Sequence, residues 1–183
     1  MMYAIKINNR LVRDDKGCVY RYSSKLVAEA KAKLIIKLLT MKVRIKKLND
    51  YAVLPMYATD GAAGMDMTAI SLHYDDDGNI VYGTGIAVEI PTGYVGLLFP
   101  RSSNAKKRLL LSNSVGLIDS DYRGEITFKY KRLRASIEAD EIYTVGDRIG
   151  QLVIIPYPKI EWDEVKELSE TKRGKGGYGH TGR

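Results

Sequence analysis

The stretch GLIDSDYRG, residues 116–124, places two aspartates and a tyrosine in a connection bounded by two glycines. The apolar residues at 115–118 predict a buried strand, and the alternation of apolar and polar residues at 126–130 predicts the strand that returns. Asp119 is therefore expected where a rigid sheet ends, with a tyrosine three residues further on.

Two interpretations of these aspartates are open. In the structural one, Asp119 and Asp121 accept hydrogen bonds from their own turn and Gly124 supplies a positive φ. In the functional one, Asp119 is a general base held beside an aromatic ring, and it requires partners from elsewhere in the chain.

Outward from this stretch, the helical period is absent from residues 41–158. Short β-rich segments separated by Gly, Pro, Asn and Asp predict a mainly β fold, either a sandwich or a barrel-like double sheet. The predicted strands are 42–48, 66–70, 84–90, 94–99, 125–133 and 152–155. The run DDDGN at 75–79 lacks the later glutamate of a calcium loop, so it predicts a hairpin turn.

The two ends of the chain differ from this core. Residues 1–40 predict a small ββα extension, with strands at 3–7 and 18–22 around a turn at 14–17, and a helix capped by Ser23 or Ser24. The lysines of this helix are interpreted as a solvated face. Residues 159–183 predict a last strand or an extended linker that contains Trp162, followed by a glycine-rich arm at 173–183, which is flexible by composition.

Charge is distributed unevenly along the 183 residues. The first 40 hold nine Lys/Arg and three Asp/Glu, a net of +6 out of the total of +7, so nucleic-acid binding is expected only through them. No apolar run approaches the roughly 20 residues of a membrane span and no signal peptide is visible, which predicts a cytoplasmic protein without a membrane partner. Cys18 is the only cysteine, and with His73 and His180 it cannot complete a zinc cluster.

Four other stretches place polar or flexible residues directly beside a predicted strand. They are AGMDM at 63–67, PRSS at 100–103, RIGQL at 148–152 and the tail at 173–183. With GLIDSDYRG, these stretches resemble in order and spacing the five motifs of the trimeric dUTPase family, over nearly all of residues 41–183. The resemblance implies a jelly-roll-like β subunit and a homotrimer with active sites shared between subunits. It also implies Mg²⁺-assisted hydrolysis of dUTP to dUMP and pyrophosphate, which limits uracil incorporation into DNA and supplies dUMP.

The resemblance also assigns roles to individual residues. Asp119 is implied to activate the water that attacks the α-phosphate, Tyr122 to lie under the deoxyribose, and Asp66 to support the metal through water. Uracil is implied to contact Asn113, Gly116, Leu117 and Ile118, with Tyr178 stacked over the base. The implied phosphate contacts are Arg101, Ser102, Ser103, Gln151, Arg173, Gly179, His180 and Thr181.

Three other functions are compatible with parts of this sequence. The related dCTP deaminase places its catalytic glutamate ten residues after the aspartate, where this sequence has Lys129. A nucleic-acid-binding protein and a catalytically silent regulator of the same fold are the remaining alternatives. The sequence departs from the family at Tyr178, where phenylalanine is usual, and at Ser103, where glycine is frequent.

Overall fold

The computed structural model describes residues 3–7, 10–13, 16–22, 24–133 and 142–180. The first part contains β1 (Tyr3–Ala4), β2 (Lys6–Ile7), β3 (Arg10–Leu11), β4 (Arg21–Tyr22) and α1 (Lys25–Leu39). The remainder contains β5 (Arg44–Lys47), β6 (Met56–Tyr57), β7 (Met65–Thr68), β8 (Ser71–Tyr74), β9 (Ile80–Gly83), β10 (Ile86–Glu89), β11 (Tyr94–Phe99), a 3₁₀ helix (Ser102–Lys106), β12 (Leu109–Leu111), β13 (Gly116–Ile118), β14 (Thr127–Arg132) and β15 (Arg148–Pro156).

Two sheets form the body of the protein. One has the strand order β13-β11-β15-β7-β6 and the other β12-β14-β9-β8, while β5 pairs with β10. A single buried cluster draws side chains from both sheets, including Met67, Leu98 and Leu152 from the first and Tyr82 and Phe128 from the second. The prediction of a mainly β fold is confirmed, and the shared core gives it the layout of a sandwich.

The period of two explains how these strands bury one side. In β14, Phe128 and Tyr130 are fully buried while Thr127, Lys129 and Lys131 are exposed. The Tyr130 hydroxyl donates to the Ile149 carbonyl at 2.6 Å, so this buried polar group is satisfied. Burial raises the pKa of Tyr130 well above its usual value, which keeps the phenol neutral.

The prediction that the strand before residues 119–124 is joined by a simple return to the strand after them is wrong. Strand β13 pairs with β11, with Ile118 opposite Gly96, whereas β14 lies in the other sheet between β12 and β9. The connection after Ile118 therefore crosses from one sheet to the other. Leu117, predicted to be buried, is 67% exposed, because β13 is an edge strand with only one covered side.

The hairpin turn predicted at 75–79 is confirmed between β8 and β9. The Asp75 carboxylate accepts hydrogen bonds from the backbone N–H groups of Asp77 and Asn79, at 3.1 and 2.8 Å, and pairs with Lys129 Nζ at 2.8 Å. The hydrogen bond from Lys129, followed by that from Asn79, holds the pKa of the Asp75 carboxyl well below its usual range.

The chain ends differ in part from prediction. Four short strands in three segments precede α1 rather than two strands, because residues 3–7 divide into β1 and β2 and residues 10–13 also pair. Asp14 and Asp15, predicted in a turn, and Ser23, predicted as a cap, lie outside the described residues. No strand forms within 159–172, so the extended-linker alternative holds, with Trp162 90% exposed. No helix in the described part of the chain has the length and apolarity to cross a membrane. The division into 1–40, 41–158 and 159–183 stays a prediction.

Candidate active site

A buried carboxylate on β7, beside the central strand of the five-stranded sheet, gathers three side chains. Asp66 lies on β7 and is 7% exposed. Its Oδ1 accepts hydrogen bonds from Arg101 Nε at 3.1 Å and Gln151 Nε2 at 3.0 Å, and its Oδ2 accepts one from Arg148 Nη1 at 3.0 Å. Two cations and one amide thus converge on a single buried anion.

The strand register explains this convergence. Gln151 of β15 lies opposite Asp66 of β7 on one side and opposite Phe99 of β11 on the other, and Arg101 follows β11 directly. Gly64, just before β7, allows the close approach of the Gln151 side chain, since a Cβ there would lie 3.1 Å from Gln151 Cβ. The prediction that these motifs act together has a geometric basis for Asp66, Arg101 and Gln151.

Arg148 also belongs to this cluster, although the sequence patterns predicted no role for it. Residues three apart on a regular strand point to opposite faces, so Arg148 and Gln151 should not meet the same carboxylate. A register shift between Arg148 and Gly150 breaks the alternation and brings both side chains to Asp66. The only sequence signal was the presence of Arg148 inside the RIGQL stretch.

An open cleft of about 300 Å³ adjoins the cluster. It is lined by Arg101, Ser103, Lys107, Tyr143, Gly146, Asp147 and Arg148. Three cations against one carboxylate make the cleft suited to an anion, and an arginine whose position is fixed by Asp66 can present its other N–H groups in a defined direction. Burial raises the pKa of the Tyr143 hydroxyl, so this residue lines the cleft as an uncharged side chain.

The Asp119 connection has a different character. Asp119 and Asp121 are exposed, and neither carboxylate accepts a hydrogen bond from any residue that the structure describes, so the self-capped turn is wrong. Gly124 does not adopt a positive φ either. It is instead a site of close approach, where a Cβ would collide with the Tyr122 hydroxyl, which donates to the Glu125 carbonyl at 3.0 Å. This bond fixes the Tyr122 ring, which is 43% exposed.

The turn that carries Asn113 is tight and strained. Ser114 N–H donates to the Leu111 carbonyl at 2.9 Å and Val115 N–H to the Asn113 carbonyl at 2.6 Å. Ser114 has φ 60°, the single positive φ among the described non-glycine residues, and strain of this kind concentrates at functional sites. Gly116 and Ile118 are buried beyond it, and the Ser112 hydroxyl is buried without a partner in the described chain.

These two groups lie apart within one chain. Ile118 is opposite Gly96, so the chain runs on to Asp119 towards the Tyr94 end of β11, whereas Gln151 is opposite Phe99 at the other end. Asp119 is therefore displaced from Asp66 by about 13 Å along the strands and, across the three strand spacings from β13 to β7, by about 14 Å. The structure brings together Asp66, Arg101 and Gln151 with Arg148, and it does not bring Asp119 or Tyr122 to them.

The C-terminal arm is also separate from both groups. Tyr178 is fully exposed, and Arg173 Nε donates to the Gly176 carbonyl at 2.8 Å. Gly179 has φ 76° and His180 is exposed, while Thr181 lies outside the described residues. The arm, predicted from composition to be flexible, contains consecutive turns that Thr171 and Arg173 stabilise through hydrogen bonds.

The donor set restricts how a metal could bind. In the described residues no group of three or more His, Cys, Asp or Glu is placed to hold an ion. A carboxylate offers about four acceptor positions, and Asp66 already uses three of them. The residues therefore do not form a protein cage for a cation, and they fit one that a ligand carries.

Comparison with known proteins agrees with this geometry. The dUTPase family profile matches residues 50–182. The deoxyuridine 5'-triphosphate nucleotidohydrolase of Hydrogenobaculum sp. (strain Y04AAS1) is 43% identical over 150 residues, which are 78% of this chain and 99% of that protein.

Solved structures give the same answer. A mutant dUTPase of Staphylococcus bacteriophage 80alpha, solved with dUpNHpp, has a TM-score of 0.67 at 28% identity and covers 79% of this chain and 100% of its own. A mutant dUTPase from S. aureus phage phi11, whose structure describes coordination of a structural Mg(II) ion, has a TM-score of 0.59 at 26% identity and covers 70% of this chain and 99% of its own. Five ordered motifs, a β sandwich and relatives matched over almost their whole length lead to one conclusion, that this chain belongs to the dUTPase family of nucleotidohydrolases.

Proposed function

We propose that the chain hydrolyses dUTP to dUMP and pyrophosphate in the cytoplasm, with Mg²⁺, as a homotrimer whose active sites combine residues of different subunits. The activity would limit uracil incorporation into DNA and supply dUMP. The observation that carries the shared site is the separation of Asp119, which follows the edge strand β13, from the Asp66 cluster on β7 and β15. Within one chain, no small movement places both groups on one triphosphate.

Asp119 is proposed as the general base. Its carboxylate is exposed at the end of β13, where the backbone is held by pairing with β11. A water that gives its proton to this carboxylate attacks the α-phosphorus, the bond to the bridging oxygen breaks, and pyrophosphate leaves. A fixed carboxylate needs little reorganisation for this step.

The nucleoside is proposed to lie between Tyr122 and the Asn113 turn. The Tyr122 ring, fixed by its bond to the Glu125 carbonyl, leaves no room for a 2'-hydroxyl. Uracil would be read by Asn113 and by the backbone of Gly116, Leu117 and Ile118, with Tyr178 stacked over it. Hydrogen bonds to a base edge from a strained, defined turn reject analogues that leave them unpaired.

The triphosphate is proposed to bind the Asp66 cluster of another subunit. Arg101 and Arg148 would direct their remaining N–H groups to the phosphates, with Gln151 aligned by the same carboxylate. Bound Mg²⁺ would neutralise charge on the phosphates, and Asp66 retains about one acceptor position for a water of the ion. The other proposed phosphate contacts are Ser102, Ser103, Arg173, Gly179, His180 and Thr181.

The surface supports assembly into an oligomer. The chain exposes 14,219 Å², whereas a compact monomer of its mass would expose about 8,900 Å². Large apolar side chains contribute to this surface, namely Tyr51, Met56, Leu117, Leu133, Val145, Trp162 and Leu168. Such residues are typical of surfaces that other copies of a chain cover.

Subunit complementation tests the shared site. Asp119→Asn and Arg101→Ala chains are each expected to form trimers that do not release pyrophosphate from dUTP. Refolding them as an equal mixture should restore about one quarter of native turnover, since in a head-to-tail ring that fraction of sites receives both native residues. A mixture of Asp119→Asn with Asp119→Ala is the control and should stay inactive.

If mixed trimers form and show no recovery, the site does not combine these residues from different subunits. A parallel substrate panel of dUTP, dCTP, dTTP and UTP tests the activity itself. Ammonia release from dCTP would favour the deaminase instead, although Lys129 is engaged with Asp75 at 2.8 Å in place of the expected glutamate.

A further inference from the structure

The N-terminal module, residues 3–39 as far as described, lies before the residues that match the dUTPase family, which begin at 50. Its three strand segments pair with one another. Ala4 lies opposite Arg21, Lys6 opposite Leu11, and Arg13 opposite Val19. The module is therefore built of two two-stranded sheets, β1-β4 and β2-β3, which the Arg13–Val19 bridge joins into one small β layer, followed by α1.

This register places three cations on one side of the sheet. Residues directly opposite in a pair share a face, as do residues two apart on a strand. Lys6 shares its face with Leu11, Leu11 with Arg13, Arg13 with Val19, and Val19 with Arg21. Lys6, Arg13 and Arg21, one from each segment, thus form what we call the basic face, and all three are exposed.

The other side of the sheet is the covered one. Ile5 is 2% exposed, and Tyr3, Val12 and Tyr22 on the same side are half-buried. Helix α1 contacts β1, β2 and β4, and its Ala28 is 7% exposed. Because the helix packs on the Ile5 side, the basic face is directed away from the small core of the module.

Acidic residues do little to neutralise this face in the described chain. Residues 1–40 contain Asp14, Asp15 and Glu29; the first two lie outside the described residues, and Glu29 is on α1, 3.8 Å from Lys25. Residues 41–183 carry 20 Lys/Arg against 19 Asp/Glu. The positive potential of the protein is therefore concentrated in the module.

We propose that the basic face binds the phosphate backbone of duplex DNA, as a second activity beside nucleotide hydrolysis. Each of the three segments pairs with both of the others, so the three cations lie on adjacent strands about 4.8 Å apart. Duplex DNA carries one negative charge per about 1.7 Å of helix axis, so it presents several phosphates to a patch of this size. Single strands are bound largely by stacking on exposed aromatic rings. Tyr20, the one described aromatic of the module that is more than a third exposed, points to the covered side.

Fluorescence anisotropy of the full chain with a labelled duplex of about 30 base pairs, across a salt series, tests this. The variant Lys6→Ala/Arg13→Ala/Arg21→Ala should weaken binding at least about tenfold and reduce the slope of log K against log salt by about 2.7, because three phosphate contacts are lost. The matched control Lys25→Ala/Lys31→Ala/Lys33→Ala removes the same charge from α1 and should bind nearly as tightly as the wild type. The charge-retaining variant Lys6→Arg/Arg13→Lys/Arg21→Lys should also bind.

Four results would overturn the proposal: no binding by the wild-type chain at low salt, unchanged binding by the basic-face variant, equal loss in the α1 control, or preference for single-stranded RNA of the same length. Circular dichroism and dUTP turnover, both expected to be unchanged in the three variants, report folding. Because the anisotropy measurement requires no turnover, failure of the hydrolytic function would leave this result interpretable.

Discussion

At the scale of single residues, one carboxylate organises the cluster that is proposed to bind the phosphates. Asp66 is the common acceptor for Arg101, Arg148 and Gln151, so the positions of three donors depend on one buried charge. The same arrangement partly neutralises two neighbouring guanidinium groups that would otherwise repel each other.

Replacing that charge should affect both stability and substrate binding. Asp66→Asn keeps the shape of the side chain and leaves Arg101 and Arg148 without their anion, which is expected to cost about 3 kcal/mol of unfolding free energy. The KM for dUTP should rise as the guanidinium groups lose their orientation. Chemical denaturation and steady-state pyrophosphate release measure the two effects.

Asp163→Asn is the matched control, because Asp163 lies in the exposed linker and makes no ion pair in the described chain. It should leave both quantities unchanged. An Asp66→Asn enzyme with native stability and native KM would contradict the organising role of this carboxylate.

The sequence predicted part of this residue-scale picture. Asp66, Arg101 and Gln151 lie in short stretches with distinctive residue types, and a family resemblance transfers such positions directly. Arg148 could not be assigned because its direction depends on a local break in strand alternation, which spacing alone does not encode. The role of Gly124 was also mistaken, since the approach of the Tyr122 ring is a tertiary contact.

At the scale of elements, strand existence was easier to predict than strand pairing. Alternation identified β11 at its observed bounds and β14 within two residues at its N-terminal end. It could not reveal that β13 and β14 belong to different sheets, because a buried face has the same pattern whichever sheet covers it. The wrong prediction that Leu117 is buried has the same cause.

The ion pair between the hairpin at 75–79 and strand β14 can be tested through the pH dependence of stability. Lys129 on β14 pairs with Asp75, and this contact lowers the pKa of Asp75 and raises that of Lys129. A carboxyl group whose pKa is lowered by folding stabilises the folded state at pH values above its unfolded pKa of about 3.9. A lysine whose pKa is raised by folding stabilises it at pH values below its unfolded pKa of about 10.4. The pair should therefore stabilise the protein between these limits.

Throughout that pH window, the wild-type chain should have a higher melting temperature than the Lys129→Met variant. The difference should fade as the pH falls below about 3.9, and again as it rises above about 10.4. Thermal melts of both proteins across the pH range give the difference directly, with Lys131→Met, an exposed neighbour on the same strand, as the control. A difference that is independent of pH would mean that lost packing, rather than charge, is responsible.

At the scale of the whole molecule, the described chain has β1–β4 and α1 first, then the two packed sheets, and no helix or strand after Pro156. The described residues after Pro158 contribute no buried side chain, so their contribution to the core is small. For the arm from residue 173, the glycine-rich composition indicated little apolar burial, and its described residues contribute none to the core. The turns within the arm depend on individual hydrogen bonds that composition does not specify.

Deleting residues 173–183 should abolish dUTP hydrolysis without changing the melting temperature or the oligomeric state. The physical reason is that the arm is proposed to complete the site only when substrate is bound. Calorimetry, light scattering and pyrophosphate release measure the three properties. Loss of the folded oligomer in the truncated chain would instead assign the arm a structural role.

Two point variants refine this comparison. Tyr178→Phe keeps the ring that is proposed to stack on uracil and should retain nearly native turnover, whereas Tyr178→Ala should raise KM. Tyr178 is fully exposed in the free chain, so neither variant is expected to alter stability.

The exposed position of Trp162 has a practical consequence. It is the single tryptophan of the chain, and it lies in the linker between β15 and the arm. Indole emission shifts to shorter wavelength when the ring leaves water, so docking of the linker on a neighbouring subunit would be visible in the intrinsic spectrum. The protein therefore carries its own optical reporter of assembly, at a position where no dye has to be attached and no proposed site residue has to be altered.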